Sequence, residues 1–500
     1  MAPTSTYDAI IIGGGPAGSA VARLLALWGH RVLVVARAAH RSRGLAESIP
    51  PSARKLLSAV GVLDAVEAAG FPPNRGNTAY WGSPAGRTEG FGNAGASAGF
   101  QIFRPDFDEI LLARAAAAGA DICADAKASR VEFHDADLAA VDYSANDATR
   151  RAYGRFAIDC SGRSGIIARR GLRVYQAGHR MQAFLGLWRN DAGWDAADDD
   201  RTTVETYDDG WAWSLAISRN IRQVAVMLDL ATTRTTRGPI AEAYAAQLAR
   251  TRRLSAQTVG AVLERAWACD ASLYSSSDFA GSQFLLVGDA ASCIDPLSSF
   301  GVKKALASAW LAAIAVHTSL GDSQRRSLAM DFFAQREREV YAADLARTRG
   351  YARAALEHHG HAFWKRRASG EGDDSAAADD SARVLRRPSL QHAHERLRAS
   401  GTMRFDWNPR IAFVKRPFVR GREIVLDDAI PFGPAALRYA EGVDLIALGH
   451  CVTRHRRVPD AFDEYCRAHG AVSLSEFLAV LSLLVADDVL TPSHTSVHAR

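Results

Sequence analysis

The chain has 500 residues, of which 48% are hydrophobic and 23% are charged, proportions that are ordinary for a globular enzyme. Lys and Arg number 60 against 55 Asp and Glu, and the net charge of +5 is too small to indicate a nucleic-acid partner. A chain of this length is expected to form two or three domains, large enough to bury a cofactor.

The cysteine pattern and the hydropathy of the sequence argue against a structural metal site and a membrane span. The six cysteines form no CxxC pair and no metal-like spacing, which favours reduced thiols in a cytoplasmic compartment and no structural metal. The start of the sequence carries no basic leader followed by a cleavable apolar run. The longest small-apolar run, residues 305–316, is shorter than the roughly 20 residues that cross a bilayer, so it predicts a buried helix and no membrane span.

The first element in chain order is a short apolar strand at residues 7–12, which runs into the turn GGGPAG and then a helix. In a GxGxxG pattern, the first glycine allows a tight turn, the second lets the backbone approach a pyrophosphate, and the third lets the helix pack on the strand. The N–H groups at the start of the helix would bind the phosphates. The residues of this turn that are predicted to hold a dinucleotide are Gly13, Gly15, Pro16, Ala17 and Gly18.

A second apolar run at residues 32–35 completes a βαβ unit but departs from the usual pattern at its end. An acidic residue normally ends this strand and binds the ribose of adenosine, whereas Ala36 and Arg37 stand here. We therefore expect the ribose to be bound in another way.

Three later segments offer polar side chains that could support the cofactor. The segment AESIPPS supplies Glu47 and Ser48, and a predicted helix at residues 104–118 begins with Arg104. A predicted strand ends at Asp159, before the turn CSGRSG. A surface charge or a helix cap is the alternative interpretation of each.

Between about residues 181 and 280, apolar and polar residues alternate in runs such as QAFLGLW and QVAVMLDL. Alternation that is broken by polar turns predicts an antiparallel sheet. Such a sheet, inserted into the nucleotide-binding framework, would form one wall of a substrate pocket.

The segment FLLVGDAASCIDPLSSFG predicts a return to the parallel sheet. Its strand ends in Gly288 and Asp289, whose carboxylate could accept hydrogen bonds from the ribityl or phosphate region of a flavin. Pro296 then leads into a helix that begins at Gly301 and Val302. The N-terminus of that helix would face the flavin ring and stabilise negative charge on it.

A long helical stretch is predicted to reach about residue 364, and the acidic segment ASGEGDDSAAADDS then divides the chain. The predicted division is a cofactor-binding domain in two parts, 1–180 and 281–367, with the inserted sheet at 181–280. A flexible acidic linker at 368–385 and a mostly helical C-terminal lobe at 386–500 follow.

In this order, the glycine turn, AESIPPS, FRPDFD, DCSGRSG and GDAASCIDPLSSFG resemble the FAD-binding monooxygenase superfamily. Within it, the resemblance is to the branch that contains flavin-dependent halogenases and geranylgeranyl reductases, and it covers about residues 7–350. It implies an α/β fold: a glutathione-reductase-like FAD-binding domain with noncovalently bound FAD, an inserted antiparallel β substrate domain and a C-terminal, mostly helical lobe.

Three positions depart from the halogenase pattern. Trp211 and Trp213 match the tryptophans of its WxWxIP motif, but the Ile-Pro is lost. Asn74 corresponds to the lysine that captures hypohalous acid, and a side-chain amide lacks that lysine's nucleophilic amine. Phe300 precedes Gly301, where halogenases use a small Ser or Thr for the halide. These departures favour oxygen transfer over halogenation.

The run DPLSSFGVKKALASA is also similar to that of flavoproteins that hydroxylate a tryptophan within a protein during maturation of tryptophylquinone cofactors. This resemblance implies an FAD-dependent monooxygenase that acts through a flavin hydroperoxide on a peptidyl tryptophan, in the precursor of a tryptophylquinone-containing amine dehydrogenase subunit. It implies as partners a protein or peptide substrate and a maturation enzyme such as a radical SAM enzyme. A flavin reductase or NAD(P)H would supply electrons.

The aromatic residues predicted to shape the ring pocket are Trp81, Trp211, Trp213 and Phe300. Ordinary core packing explains them equally well. No catalytic acid or base can be named from the sequence. Three other functions stay open: a flavin-dependent halogenase of a small aromatic or peptide substrate, a prenyl-chain reductase of the geranylgeranyl type, and a nonenzymatic flavin-binding scaffold.

Overall fold

In the computed structural model, the chain divides into two units, residues 1–374 and 375–500, and each is described by itself. The structure describes residues 6–37, 44–83, 85–91, 97–134, 137–194, 199–229, 231, 238–369, 389–399, 404–433 and 435–493. The acidic linker predicted at 368–385 falls almost wholly outside the described residues.

The first unit contains both predicted sheets. Its strands in chain order are β1 (Tyr7–Ile12), β2 (Val32–Val35), β3 (Ala46–Ile49), β4 (Pro73–Asn74), β5 (Gly76–Tyr80), β6 (Arg87–Gly90), β7 (Gly99–Phe103), β8 (Asp121–Cys123), β9 (Lys127–His134), β10 (Leu138–Ala145), β11 (Ala148–Asp159), β12 (Arg173–Tyr175), β13 (Gln182–Arg189), β14 (Arg201–Tyr207), β15 (Gly210–Ala216), β16 (Ile221–Leu228), β17 (Val262–Asp270), β18 (Tyr274–Ser276) and β19 (Phe284–Leu286). Its helices are α1 (Pro16–Leu27), α2 (Arg54–Val60), α3 (Leu63–Ala68), α4 (Arg104–Ala117), α5 (Ile240–Leu248), α6 (Arg253–Gln257), α7 (Gly301–Gly321), α8 (Arg326–Leu356) and α9 (Ala362–Ala368).

The first sheet has a parallel core in the order β8-β2-β1-β11-β19, and β10 and β9 continue it as an antiparallel meander from the first half of β11. The central residues of β1 are fully buried, and α1, which itself packs against α4 and α7, lies on β1 and β2. The carboxyl ends of β1, β2, β11 and β19 therefore meet at one edge, where open α/β sheets bind ligands.

The second sheet has seven strands in the order β17-β13-β16-β15-β14-β5-β6. It contains the runs predicted to form an antiparallel sheet at 181–280, but it is larger and not wholly antiparallel, because β5 and β6 come from an earlier part of the chain and β5 runs parallel to β14. On β15 and β16, odd-numbered residues such as Trp211 and Met227 face one apolar cluster, and even-numbered ones such as Ala212 and Val226 face another. This alternation is the period-two pattern that the sequence shows.

The predicted helical stretch to residue 364 is three helices, α7, α8 and α9. Residues 305–316 lie within α7 and are almost all buried. Within the described ranges, no single helix combines the length and apolar character needed to cross a membrane. One bent pair of helices, Val458–His469 with Leu474–Ala486, has the length and composition to do so, judged by those two criteria alone.

The second unit mixes helices with short strands around its own core. Its helices are α10 (Ser389–Ala399), α11 (Leu445–Arg454), α12 (Val458–His469) and α13 (Leu474–Ala486). Its strands are β20 (Arg404–Trp407), β21 (Val414–Arg420), β22 (Glu423–Phe432), β23 (Ala435–Leu437), β24 (Tyr439–Ala440), β25 (Val443–Asp444) and β26 (Leu490–Ser493). Helix α13 carries the apolar run FLAVLSLLV, and Ser473 and Glu476 form a capping box at its start.

Candidate active site

A cleft of about 860 Å³ lies at the carboxyl edge of the parallel sheet; we name it the dinucleotide cleft. It lies between the glycine turn after β1, the ends of β2 and β11, and the start of α7. The residues predicted to hold the cofactor that line it are Gly13, Gly15, Pro16, Ala17, Glu47, Arg104, Asp289, Gly301 and Val302.

The glycines of the first turn keep free a space that side chains would otherwise fill. Gly13 has φ +112°, and a Cβ there would lie 2.4 Å from the carbonyl oxygen of Cys160. A Cβ on Gly18 would lie 1.9 Å from the carbonyl oxygen of Gly13, so the third glycine lets α1 pack on the turn. At Gly15 the nearest atom would be 3.6 Å away, on Arg104, so this backbone stays open toward the cleft. Helix α1 begins with Pro16, and its first residues line the cleft, where the free N–H groups of a helix N-terminus could bind phosphate.

Arg104 is held on the cleft wall by two carboxylates. Its Nη1 donates to Glu47 Oε1 at 2.6 Å, and its Nε and Nη2 donate to the two oxygens of Asp108 at 2.8 and 3.0 Å. Burial alone would lower the pKa of Arg104, but Asp108 and Glu47 outweigh it and raise that pKa. Burial also raises the pKa of Glu47, against the lowering effect of Arg104. The network fixes a permanent cation beside the glycine turn.

The start of α7 faces this wall. A Cβ on Gly301 would lie 3.6 Å from Glu47 Oε2, so a side chain there would enter the cleft. Gly288 has φ +65°, and a Cβ on it would lie 3.2 Å from Ala17 Cβ and 3.4 Å from Ala305 Cβ. Gly288 therefore lets the turn after β19 pack between α1 and α7, which brings the two predicted motifs together.

Other predicted cofactor residues lie beneath or beside the cleft instead of lining it. Asp159 is fully buried; its carboxylate accepts from Ser161 N at 3.1 Å, Ser161 Oγ at 2.6 Å and Ile167 N at 2.7 Å. It thus shapes a turn that lines the cleft, and its predicted contact with the cofactor stays a prediction. Ser48 is buried in the β3–β7 pair, and Pro296 is an exposed residue at the start of a half-buried turn before α7.

Several cleft residues were not predicted from the sequence. Arg37 Nη2 donates to Ser164 Oγ at 2.9 Å, which joins the end of β2 to the turn after β11. Lys127 and Arg169 also line the cleft. In the sequence, Arg37 was noted only because it follows the position where the ribose-binding acid is missing. Lys127 lies far from any motif, and Arg169, although it follows DCSGRSG closely, belongs to no part of that motif.

The FAD binding domain family matches residues 6–343. The chain belongs to this family. FAD is therefore its cofactor, the predicted glutathione-reductase-like α/β fold class is confirmed, and the chain is an FAD-dependent oxidoreductase. The glycine turn, the Arg104 network and the helix N-terminus at Gly301 are the kind of donors that an FAD pyrophosphate and flavin ring need.

Similar proteins include both halogenases and a hydroxylase. A tryptophan 2-halogenase of Chondromyces crocatus is 29% identical over 339 residues, which span 66% of this chain and 65% of that protein. Among solved structures, the flavin-dependent halogenase CmlS has a TM-score of 0.75 at 22% identity, covering 99% of this chain and 97% of CmlS. The peptidyl tryptophan dihydroxylase QhpG has a TM-score of 0.67 at 20% identity, covering 97% and 99%. At these identities, the two structures establish the fold alone.

The predicted ring pocket is packed in this structure. Trp211 is 2% exposed and belongs to an apolar cluster, which we name the aromatic cluster, and Trp81 and Trp213 pack against it. Its centre is filled by Phe363 and Trp364 of α9, which the sequence did not single out. The members of the aromatic cluster used below are Leu45, Trp81, Trp211, Trp213, Leu297, Phe363 and Trp364.

Phe300 lies apart from the other three predicted pocket residues. It is the residue before α7, and its ring is contacted by Lys303 Nζ at 4.8 Å and by the Arg347 guanidinium at 5.0 Å. Burial, reinforced by Arg347, lowers the pKa of Lys303. Phe300 is therefore enclosed by cations at the helix start.

Asn74 is 1% exposed at the end of β4. Its Oδ1 accepts from Gly76 N at 3.4 Å, while its Nδ2 has no hydrogen-bond partner among the described residues. Elsewhere in the part of the chain that the structure describes, no group of three or more His, Cys, Asp or Glu is placed to hold a metal ion.

Proposed function

We propose that this protein is an FAD-dependent monooxygenase that hydroxylates an electron-rich aromatic ring, specifically the indole of a tryptophan within a protein. The observation that carries the proposal is the buried amide of Asn74 at the position of the halogenase lysine. Without an amine there, hypohalous acid has no nucleophile to form an adduct with, while oxygen transfer requires none.

The surroundings of the cofactor suit this reaction. Bound FAD, once reduced, supplies the chemistry that activates oxygen. The N–H groups of Gly301 and Val302 at the start of α7 would stabilise negative charge on the flavin ring. The aromatic cluster excludes water, which protects a reactive oxygen donor from wasteful breakdown.

The finer parts of the proposal concern substrate, partners and location. The substrate is the precursor of a tryptophylquinone-containing amine dehydrogenase subunit, acted on in the cytoplasm beside a maturation partner such as a radical SAM enzyme. Electrons come from a flavin reductase or from NAD(P)H. Support for a protein substrate comes from the likeness to QhpG over 97% of this chain, although CmlS matches a similar share.

The test is a mass measurement. Purified FAD-loaded enzyme, reduced flavin and oxygen are incubated with tryptophan-containing proteins and peptides in bromide-containing buffer. We expect a mass gain of one or two oxygen atoms on a tryptophan-containing fragment. Turnover of flavin with every candidate left unmodified would overturn the proposal.

A halogenase is the second candidate, because the Chondromyces crocatus relative is named a tryptophan 2-halogenase. The same assay separates the two, since bromination adds a characteristic isotope doublet. A brominated product from the wild-type enzyme would replace the first proposal. The variant Asn74→Lys is the matched control: a gain of bromination only in this variant would show that this single position separates the two activities.

A further inference from the structure

The indole of Trp364 is held by contacts suited to any indole. Its Nε1 donates to the carbonyl oxygen of Tyr207 at 3.1 Å. Its ring stacks with that of His359 at 6.0 Å and 19°, and meets Trp81 edge to face at 5.8 Å and 69°. With 2% exposure, Trp364 is enclosed on all sides. An acceptor, a stacking partner and an edge partner are what recognition of an indole requires.

A second cavity of about 680 Å³, which we name the outer cavity, lies beside residues that contact this indole. Tyr207 and His359, which both contact Trp364, also line the outer cavity. His359 Nε2 is 3.0 Å from Thr206 Oγ1, another lining residue. Tyr207 and His359 therefore lie between the outer cavity and Trp364, which belongs to the aromatic cluster.

In the other direction, the aromatic cluster reaches the cofactor. Leu45, in the segment that leads into Glu47, and Leu297, in the turn before Gly301, both pack against it. An apolar path thus runs from the outer cavity, through the position of Trp364, to the wall of the dinucleotide cleft.

A buried donor beside Trp364 lacks an acceptor. The Nε1 of Trp81 is buried and has no hydrogen-bond partner within the described ranges. Buried indole N–H groups nearly always have a partner, so a missing one points to a ligand or water. A substrate carbonyl placed next to the ring could accept from it.

We propose that Trp364 occupies the binding site of the substrate indole, and that the outer cavity is the entrance through which a peptidyl tryptophan reaches it when α9 withdraws. The identity of the ligand as a peptidyl tryptophan rests on the proposed function. Helix α9 is short; it packs on α8 and is anchored by the buried Phe363, by Arg367 Nη2, which donates to the carbonyl oxygen of Arg180 at 3.2 Å, and by a buried Arg367–Asp229 pair at 3.4 Å. Withdrawal breaks these contacts together.

The experiment uses the FAD-loaded full chain and N-acetyl-L-tryptophanamide as probe, with the visible spectrum of the flavin as readout. We expect Trp364→Ala to bind the probe at least tenfold more tightly than the wild type, with a spectral change. The control is Trp188→Ala, in the second sheet, whose Nε1 donates to Tyr244 Oη on the face opposite the aromatic cluster. Adding Ala256→Trp, which narrows the outer cavity, should abolish binding to the Trp364→Ala variant.

Equal affinity in the wild type, Trp364→Ala and Trp188→Ala would overturn the site. So would probe binding that leaves the flavin spectrum unchanged and tolerates Ala256→Trp. If Trp364→Ala fails to fold, the wild type is labelled with 5-fluorotryptophan and measured by ¹⁹F NMR, and the resonance of Trp364 is assigned by comparison with Trp364→Phe. We expect this resonance to shift when the probe saturates the enzyme. An unchanged resonance would overturn the site.

The two proposals fail separately. If oxygen is inserted into a protein tryptophan while the Trp364 resonance stays fixed, the proposed indole site and its entrance are wrong and the proposed function stands. Probe binding as expected with no oxygenated or brominated product would keep the indole site and remove the proposed function.

Discussion

The buried ammonium of Lys304 lies 3.9 Å from the carboxylate of Asp289. Its Nζ also donates to the carbonyl oxygens of Gly288, at 3.0 Å, and Ser292. One side chain thus ties the first turn of α7 to the turn that carries Asp289, so both halves of the flavin end of the cleft move together.

We expect Lys304→Met to weaken FAD binding at least tenfold. Two carbonyl oxygens lose a charged donor, and hydrogen bonds to charged groups contribute about 1.5–3 kcal/mol each. Titration of the apoprotein with FAD, followed by flavin fluorescence, measures the change. The matched control is Lys303→Met, whose side chain lies on Phe300 instead. Equal losses in the two variants would argue against a specific role for Lys304.

Two glycines of the first motif should respond differently to alanine. At Gly18 a Cβ collides with the Gly13 carbonyl oxygen at 1.9 Å, so Gly18→Ala should prevent α1 from packing and yield little folded protein. At Gly15 the Cβ has room and points toward the cleft, so Gly15→Ala should fold but bind FAD more weakly. Circular dichroism and FAD content measure the two effects. A well-folded Gly18→Ala variant with normal FAD content would contradict this geometry.

Restoring the missing ribose acid should tighten FAD binding. Ala36 lines the dinucleotide cleft, and its backbone is fixed by hydrogen bonds to Cys123 and Ala126. A carboxylate there would accept from the ribose hydroxyl groups, worth about 1.5–3 kcal/mol, or about tenfold or more in affinity. Ala36→Glu is compared with Ala36→Gln by FAD titration. If the glutamine variant binds as tightly, charge at this position is irrelevant.

Asp295 should make stability depend on pH. Burial raises its pKa from 3.8 to about 6, against the opposing effects of the Leu297 N–H and Arg367. Because the folded state holds the proton more tightly, this contribution to stability is full below about pH 4 and is lost as the pH rises through about 6. At pH 7.5, Asp295→Asn should therefore raise the free energy of unfolding, by up to about 3 kcal/mol, with no difference below pH 4.

Urea unfolding at several pH values measures this difference. The control is Asp322→Asn, because hydrogen bonds to Arg325 and to the Gln324 N–H lower the pKa of Asp322, which reverses the sign. The pH dependence of Asp322→Asn relative to the wild type should run the opposite way. A constant gap between Asp295→Asn and the wild type at all pH values would rule out titration of Asp295.

The glycine turn and the Asp289 segment were predictable because their chemistry is local: each needs particular residues at fixed spacing after a strand. Strands β5 and β6 could not be predicted from the sequence, because β5 is short and half-buried and pairs with β14, which lies far along the chain. Trp364 lies in a helix whose short pattern gives no sign that it faces the second sheet. The sequence predicts that Asp159 contacts the cofactor, but only the folded turn shows that its carboxylate oxygens accept hydrogen bonds from Ser161 and Ile167.

The dinucleotide cleft takes its lining from residues as far apart as Ile12 and Ala305. During synthesis, the glycine turn after β1 therefore cannot hold FAD until β11, β19 and α7 have been made and have folded. Nonlocal parallel pairing of this kind is slow and leaves strand edges uncovered meanwhile. We expect capture of the cofactor to be a late step in biogenesis, so that cells short of flavin accumulate the chain as an aggregation-prone apoprotein.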